Sequence, residues 1–345
     1  MIGKKSFGFL PDGREVIIYT IRNAKGAKVE LLNYGAAVNG LYVQDAGGVF
    51  GNVVLGAAKA ADLAERNYSG VTIGRVANRI ANGRFILNGR TVNLERNRGG
   101  HFVHGASGNY AKRIFNVTEE NKNTLLFTLT DEGQGGFGNK VEVSVRFMFD
   151  DNQRLSIRYL LKPEEDTIVS PTNHSYFNLN GGGEITDHTL QVYAGSYAVK
   201  GDLGMPQGKS AFVEGTPLDF RAGRKLGIAL NSGTEAFFGT CPSKIDDTFL
   251  LQKKGFGLSA ELFSPKSGRW MCVYTDMPAM VVFTPFENGN KPGTDGEIYH
   301  GYCGIALETQ FVPNAINCPV YEAPIVRAGE EFISETVYAF GADKS

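Results

Sequence analysis

The run Val141–Phe149, VEVSVRFMF, is followed by Asp150, Asp151 and Asn152, and then by Leu155–Leu161, LSIRYLL. In both runs a large apolar residue stands at every second position, which is the period of side chains on one face of a strand. The acidic and amide residues between the runs favour a turn. The segment therefore predicts an antiparallel hairpin with one face in the core and one in solvent.

The same alternation recurs along most of the chain. Asn88-Gly89 divides the segment 85–94 into two short strands, and Asn-Gly is the strongest two-residue hairpin signal. Helical periodicity is limited to Ala57–Arg66 and Leu226–Leu230, and no βαβ alternation or internal repeat is present. Other runs that look extended are 15–21, 27–32, 37–43, 124–130, 258–264, 270–275, 279–284, 304–309 and 332–340. We expect an all-β chain in which residues 1–345 form one large antiparallel β-sandwich, with two smaller β domains as the alternative.

The composition and charge of the chain argue against nucleic-acid binding and membrane association. The 345 residues include 44 glycines and 13 prolines, which suits short strands joined by tight turns. The net charge is −1 and no dense Lys/Arg stripe is present, so nucleic acid is not an expected partner. No apolar run approaches the roughly 18–20 residues that span a bilayer, and the first 13 residues lack a signal-peptide pattern. We therefore expect no membrane association and a cytoplasmic location.

The cysteines and histidines do not have the spacing of a metal site. The four cysteines contain no CxxC pair, so reduced thiols are expected rather than a zinc ribbon; they are Cys241, Cys272, Cys303 and Cys318. His101 and His104 have HxxH spacing, but residues i and i+3 of a strand point to opposite faces. One functional and one structural histidine is therefore the favoured interpretation, and no metal site is expected.

His174 is the histidine with the most distinctive surroundings. It lies in Pro171–Leu179, PTNHSYFNL, where polar groups precede a pair of aromatic residues. Histidine is the side chain best suited to proton transfer near neutral pH, and a pocket for a polar ligand needs a few placed donors in an aromatic wall. On this pattern alone, a functional role and a structural role at a strand end are equally supported.

Other polar residues have competing interpretations. Glu308 follows an apolar strand, and such carboxylates are more often ordinary solvated residues. Asn78 and Arg79 offer donors and acceptors that suit sugar hydroxyls, although the arginines of segment 74–84 could equally form a surface charge set. The neighbouring acids Asp246 and Asp247 suggest either a metal site or a loop tip, and the loop tip is the favoured interpretation.

Taken in order, these segments resemble the aldose 1-epimerase family, also called galactose mutarotases, over about residues 6–340. The segments that carry the resemblance are NYGA at 33–36, GRVANRIANGRF at 74–85, FVHG at 102–105, NHSYFNL at 173–179, DDTF at 246–249 and LETQFVPN at 307–314. The resemblance implies a large β-sandwich of the galactose mutarotase type, and an enzyme that interconverts the α and β anomers of free hexoses such as galactose or glucose without cofactor or metal.

The resemblance also implies roles for six residues. His174 would be the catalytic acid, protonated at the start and donating to the ring oxygen, and Glu308 would be the ionised base that accepts the C1 hydroxyl proton. The residues that would bind the sugar are Asn78, Arg79, His104 and Asp246.

The chain also departs from the family pattern. Ala106 stands where many members have glycine, and Val281 stands where some have a sugar-contacting glutamine. The preferred hexose and the oligomeric state therefore stay open. Candidates for an aromatic residue that stacks on the sugar are Phe286, Trp270 and Tyr176.

Three alternative functions follow from the same residues. A catalytically silent sugar-binding or regulatory module could use the same ligands, although binding alone needs no matched acid and base. An epimerase of a phosphorylated hexose would need a second basic group near the pocket, and the sequence identifies none. A glycosidase could use Glu308 with Asp246 as its carboxylate pair, but would have little need of His174.

Overall fold

The computed structural model describes residues 2–65, 68–232, 244–285 and 290–343. Thirty strands are assigned within these ranges. The first fifteen are β1 (Gly3–Phe9), β2 (Glu15–Arg22), β3 (Lys28–Leu32), β4 (Ala37–Gln44), β5 (Phe50–Asn52), β6 (Thr72–Ile73), β7 (Arg79–Ile80), β8 (Arg84–Leu87), β9 (Arg90–Asn93), β10 (Phe102–Val103), β11 (Asn116–Asn121), β12 (Thr124–Asp131), β13 (Val141–Phe149), β14 (Arg154–Pro163) and β15 (Thr167–Ile168). The others are β16 (Thr172–Asn173), β17 (Tyr176–Phe177), β18 (Thr189–Val192), β19 (Ser196–Lys200), β20 (Pro206–Phe212), β21 (Arg224–Lys225), β22 (Asp246–Leu250), β23 (Gly257–Phe263), β24 (Arg269–Thr275), β25 (Ala279–Phe283), β26 (Lys291–Pro292), β27 (Ile298–Tyr299), β28 (Ile305–Gln310), β29 (Ile325–Val326) and β30 (Phe332–Ala342).

Helices are few and short in the described ranges. The one α-helix there, α1, is Leu226–Ser232, where the sequence predicted a helical turn. The short helix expected at Ala57–Arg66 is a 3₁₀ helix, Ala60–Glu65, and Arg66 lies outside the described residues. The other 3₁₀ helices are Ala81–Gly83, Ala106–Gly108, Tyr110–Lys112, Gln134–Gly136, Asp202–Gly204, Thr294–Gly296 and Ala315–Asn317.

Three large sheets build the molecule. The nine-stranded sheet has the order β11-β12-β13-β14-β30-β24-β23-β18-β21, and the six-stranded sheet has the order β17-β28-β25-β22-β19-β20. Strands β1 to β5 form the third sheet in sequence order. The hairpin expected at 141–161 is β13–β14, in continuous antiparallel register from Val141↔Pro163 to Phe149↔Leu155. The predicted fold class, a large antiparallel β-sandwich, is confirmed.

The main core lies between these sheets and explains the alternation. Along β13 each valine or phenylalanine is buried, while Glu142, Arg146 and Met148 are exposed. The largest apolar cluster joins Phe147 of the nine-stranded sheet with Leu307 of the six-stranded sheet. A buried side chain of this size contributes about 1.5–3 kcal/mol to folding through removal of its surface from water.

The six-stranded sheet has a second face, which carries the polar residues of interest. Leu307 points into the core, so Glu308 beside it in β28 points the other way. Glu308 pairs with Val281 of β25, and Val281 pairs with Thr248 of β22. Asp246, two residues before Thr248, therefore lies on the same face as Glu308. This register brings two sequence-distant motifs to one surface.

Candidate active site

His174 and Glu308 meet at this second face. His174 lies between β16 and β17, and β17 pairs with β28, which holds Glu308. Both residues are buried, with 4% and 2% of their surface exposed. His174 Nε2 is 3.5 Å from Glu308 Oε1. The remaining atoms, His174 Nδ1 and Glu308 Oε2, are buried without a hydrogen-bond partner among the described residues. Such atoms carry a desolvation cost unless a ligand or water satisfies them.

The backbone and the aromatic wall fix the His174 ring. The His174 amide donates to Val71 O at 2.9 Å, and its carbonyl accepts from Gly70 N at 2.9 Å. Asn173 Nδ2 donates to Gly70 O at 2.8 Å. The polar residues of the NHSYFNL motif are therefore partly structural. The ring centroids of Tyr176 and His104 lie 5.0 and 5.8 Å from that of His174.

The four residues expected to bind sugar surround this pair. Asn78 Oδ1 accepts from Arg79 Nη1 at 2.7 Å, and Arg79 Nη2 is 3.9 Å from Asp246 Oδ2. The Asn78 amide donates to His104 Nδ1 at 3.2 Å. Neutral His104 therefore carries its proton on Nε2, which is left as a donor. The structure brings all six residues together, although their individual roles remain predictions.

Arg75 anchors the loop that carries Asn78 and Arg79. Its side chain is fully buried, donates to Asp131 Oδ2 at 2.8 Å, and donates to the Asn139 carbonyl at 2.7 Å. Tyr110 Oη donates to the same Asp131 oxygen at 2.9 Å. Arg75 is therefore not part of a surface charge set, and that interpretation is wrong for this residue.

Asp131→Ala should leave the Arg75 guanidinium buried without its carboxylate partner. Removal of one partner of a buried pair typically costs about 3–5 kcal/mol of unfolding free energy. Urea denaturation followed by circular dichroism measures the loss. Asp12→Ala is the matched control, because Asp12 pairs with Arg14 at the exposed surface, and its midpoint should barely move. Equal, small shifts in both variants would contradict the anchoring role of Arg75.

Two lysines near Asp246 were not identified from the sequence. Lys244 Nζ is 3.3 Å from Asp246 Oδ2, and Lys200 Nζ is 2.8 Å from Asp247 Oδ1. Burial would raise the pKa of Asp246, but the charges of Lys244, Arg79 and Lys200 outweigh it and lower that pKa below its usual value. Lys244 and Asp246 are two positions apart, and alternate residues of an extended segment point to the same side. This spacing could have identified Lys244 from the sequence.

The protonation of the His174–Glu308 pair differs from the expected one. Burial lowers the pKa of His174 to about 4. Burial also raises the pKa of Glu308 to about 8; Asp246 adds to the rise and Arg79 opposes it. Between these values the pair holds one proton, and burial favours its position on Glu308. Burial likewise lowers the pKa of His104, so this ring is neutral.

Of the three aromatic residues suggested to stack on the sugar, the two that the structure describes lie in different sheets. Tyr176 lines the site, and Phe283 packs within 6.3 Å of the His174 ring centroid. Trp270 lies in β24 of the other sheet, where its indole packs over Gly341, so that suggestion is wrong. Phe286 lies outside the described residues. Tyr68, which the sequence analysis missed, packs 4.9 Å from the His104 ring centroid.

Two departures from the family pattern are also visible. Val281 is 1% exposed and sits beside Glu308, so an apolar side chain borders the carboxylate where some relatives have an amide. Ala106 has a φ of 49°, a conformation that glycine adopts at lower cost.

Metal-binding clusters and membrane-spanning helices are both absent from the described ranges. These ranges contain no group of three or more His, Cys, Asp or Glu side chains that could hold a metal ion. Cys272, Cys303 and Cys318 form no disulfide within the described ranges, and Cys241 lies outside them. No helix in this part of the chain is long and apolar enough to cross a membrane.

Comparisons with known proteins agree with the fold. The family model for aldose 1-epimerase matches residues 18–339. Aldose 1-epimerase of Escherichia coli (strain K12) is 32% identical over 343 residues, covering 96% of this chain and 97% of that protein. Galactose mutarotase of Rattus norvegicus is 32% identical over 339 residues, covering 97% of each. The solved galactose 1-epimerase from Lactobacillus acidophilus NCFM has a TM-score of 0.86 at 24% identity and covers 99% of both chains. From the family match and these two relatives together, the chain belongs to the aldose 1-epimerase family.

Proposed function

We propose that this chain is a mutarotase that interconverts the α and β anomers of free aldohexoses such as galactose and glucose. The observation that carries the proposal is the His174–Glu308 pair, 3.5 Å apart and with an unpartnered polar atom on each side chain. Family membership supports the same reaction class, an isomerase. Donors and acceptors that suit hydroxyl groups surround the pair.

Ring opening needs two proton transfers at adjacent oxygens. The ring oxygen gains a proton as its bond to C1 breaks, and the C1 hydroxyl loses a proton as C1 becomes an aldehyde carbon. Both oxygens are bonded to C1, so the acid and the base must lie side by side, as His174 Nε2 and Glu308 Oε1 do. His174 donates to the ring oxygen and Glu308 accepts from the hydroxyl. Rotation about C1–C2 and reversal of both transfers close the ring on the other face.

A pair with one proton suits this chemistry, because each turnover gives one proton and takes one. Burial favours neutral His174 and protonated Glu308. The ion pair that ring opening requires has the same number of protons. It forms by transfer across the short gap, and the positive charge of Arg79 favours the carboxylate form. General acid and base catalysis contribute about 10²–10⁴-fold each.

The dependence of kcat/KM on pH should be bell-shaped. Below a pH of about 4 the pair gains a second proton and the base is lost; above about 8 it loses its only proton and the acid is lost. Activity should therefore fall on both sides of a broad plateau. Initial rates between about pH 3 and pH 10 measure the profile. A single limb centred near the ordinary histidine pKa would contradict the shared proton.

The charges near the pocket favour a neutral sugar over a phosphorylated one. The structure does provide the extra basic groups that a phosphohexose would need, Lys200 and Lys244. Each already faces a carboxylate, at 2.8 Å from Asp247 and 3.3 Å from Asp246. A phosphate would have to compete with those carboxylates, whereas a hydroxyl can bind to donor and acceptor together. The matched acid and base also argue against a silent binding module.

Magnetisation exchange between the two anomeric protons tests the proposal at equilibrium. We expect the protein to accelerate α–β exchange for galactose and glucose and to leave a nitrophenyl galactoside intact. Cleavage of the glycoside would indicate a glycosidase instead. Absence of exchange with both free sugars, in protein that binds them, would favour the silent module.

Three further statements belong to this proposal. Residues 1–345 form one domain, because one core cluster includes residues from Ile2 to Phe340 and β14 pairs with β30. The location is cytoplasmic, which suits the reduced thiols of Cys272 and Cys318. The reaction involves proton transfer alone, so it needs neither a cofactor nor a metal ion.

A further inference from the structure

Lys244 lies at the edge of the side-chain cluster around His174 and Asp246. Its Nζ lies 3.3 Å from Asp246 Oδ2 and 4.5 Å from the centroid of the Phe283 ring. The Phe283 ring in turn packs against His174 and Tyr176, with centroid distances of 6.3 and 6.0 Å. The Lys244 side chain is 28% exposed, so the ammonium group is accessible to a small ligand. One aromatic ring separates it from the catalytic histidine.

Sheet geometry puts Lys244 at the far end of a bound hexose. Strand β25 lies between the strand of Glu308 and the strand of Asp246, and two interstrand spacings amount to about 10 Å. Thr248 pairs with Val281, which pairs with Glu308. Asp246 lies two residues before Thr248, so it is also displaced from Glu308 along the strand direction. A pyranose with C1 at the His174–Glu308 pair therefore turns its opposite edge towards Asp246 and Lys244.

The chemistry of the two groups is complementary. An ammonium has three donors and no acceptor, whereas a carboxylate only accepts. Lys244 and Asp246 together therefore match a hydroxyl group, which donates one hydrogen bond and accepts others. The contact with the Phe283 ring favours one position of the ammonium, because a cation is attracted to an aromatic face.

We propose that Lys244 is a further substrate-binding residue, which donates a hydrogen bond to the same hydroxyl that Asp246 accepts from, on the edge of the hexose opposite C1. Lys244 then contributes to sugar specificity at that position. This inference rests on the proposed mutarotase function.

Lys244→Met tests the role with little change in side-chain length. We expect KM for galactose to rise about tenfold, the effect of one hydrogen bond to a charged group, while kcat stays within about twofold. Lys244→Arg keeps the charge and the donors and should restore most of the affinity. Lys266→Met, in an exposed turn of the other sheet, is the matched control and should change nothing. An unchanged KM in Lys244→Met would overturn the proposal.

Deoxy sugars separate direct binding from an indirect effect on Asp246 or Phe283. Titrations with galactose, 4-deoxygalactose and 6-deoxygalactose give dissociation constants independently of activity. One analogue lacks the hydroxyl that Lys244 contacts. For this analogue, Lys244→Met should not weaken binding any further, because the hydrogen bond to Lys244 is already absent. If Lys244→Met weakened the binding of all three sugars equally, direct contact between Lys244 and a hydroxyl would be excluded. Galactose binding with the expected Lys244 effects, but without mutarotation, would refute the proposed function and leave the binding role intact.

Discussion

Glu308→Gln should lower kcat for galactose mutarotation by about 10²–10⁴-fold, the range for loss of a general base. The amide has nearly the same shape as the carboxylate, but it cannot accept the C1 hydroxyl proton at neutral pH. The substitution also removes the Glu308 carboxyl group, which holds the proton of the pair. The alkaline limb of the pH profile should therefore disappear. Polarimetric rates at saturating sugar measure the effect.

A matched control distinguishes chemistry from folding. Glu119→Gln changes an exposed glutamate of the edge strand β11 and should retain the full rate. Circular dichroism of both variants should match the unaltered protein. A rate close to normal in Glu308→Gln would exclude Glu308 as the base.

His174→Asn should also lower kcat by about 10²–10⁴-fold, because the ring oxygen then has no acid to protonate it. The dissociation constant for galactose should change much less, since the four surrounding polar residues are intact. Kinetic rates and a binding titration on the same preparation separate the two quantities. His300→Asn, at an exposed position, is the control. Retained turnover in His174→Asn would show that the acid lies elsewhere.

Alternation in the sequence was sufficient to predict the strands but not their order in space. The run 141–161 predicted the β13–β14 hairpin, because turn residues link strands that are neighbours in the chain. The pairing of β14 with β30 depends on contacts between residues that are far apart in the chain, from Arg154 with Ala339 to Leu161 with Phe332. Period-two patterns predict which face of a strand points inward, but they do not predict its partner strand, so the order of the strands in the sheets was not predicted.

The candidate site shows a similar division. Motif order identified His174 and Glu308, but their 3.5 Å separation depends on the pairing of β17 with β28. Arg75 and Arg79 lie in the same segment between Gly74 and Gly83, and the sequence does not distinguish their roles. Only the fold reveals that Arg75 is buried against Asp131 while Arg79 reaches the pocket.

Protonation was the least accessible property of the site. The catalytic roles required a charged His174 and a charged Glu308, whereas burial in the folded chain favours the neutral form of both. Desolvation depends on every element that covers the pair, so no local pattern predicts it.

The central claim is that this chain accelerates the exchange of hexose anomers by proton transfer alone. Optical rotation of freshly dissolved α-galactose, followed with and without the protein at neutral pH and in the presence of EDTA, tests it most directly. We predict a faster approach to the same equilibrium rotation, with a rate proportional to protein concentration and unaffected by EDTA. An approach no faster than in buffer, for galactose and for glucose, would contradict the account.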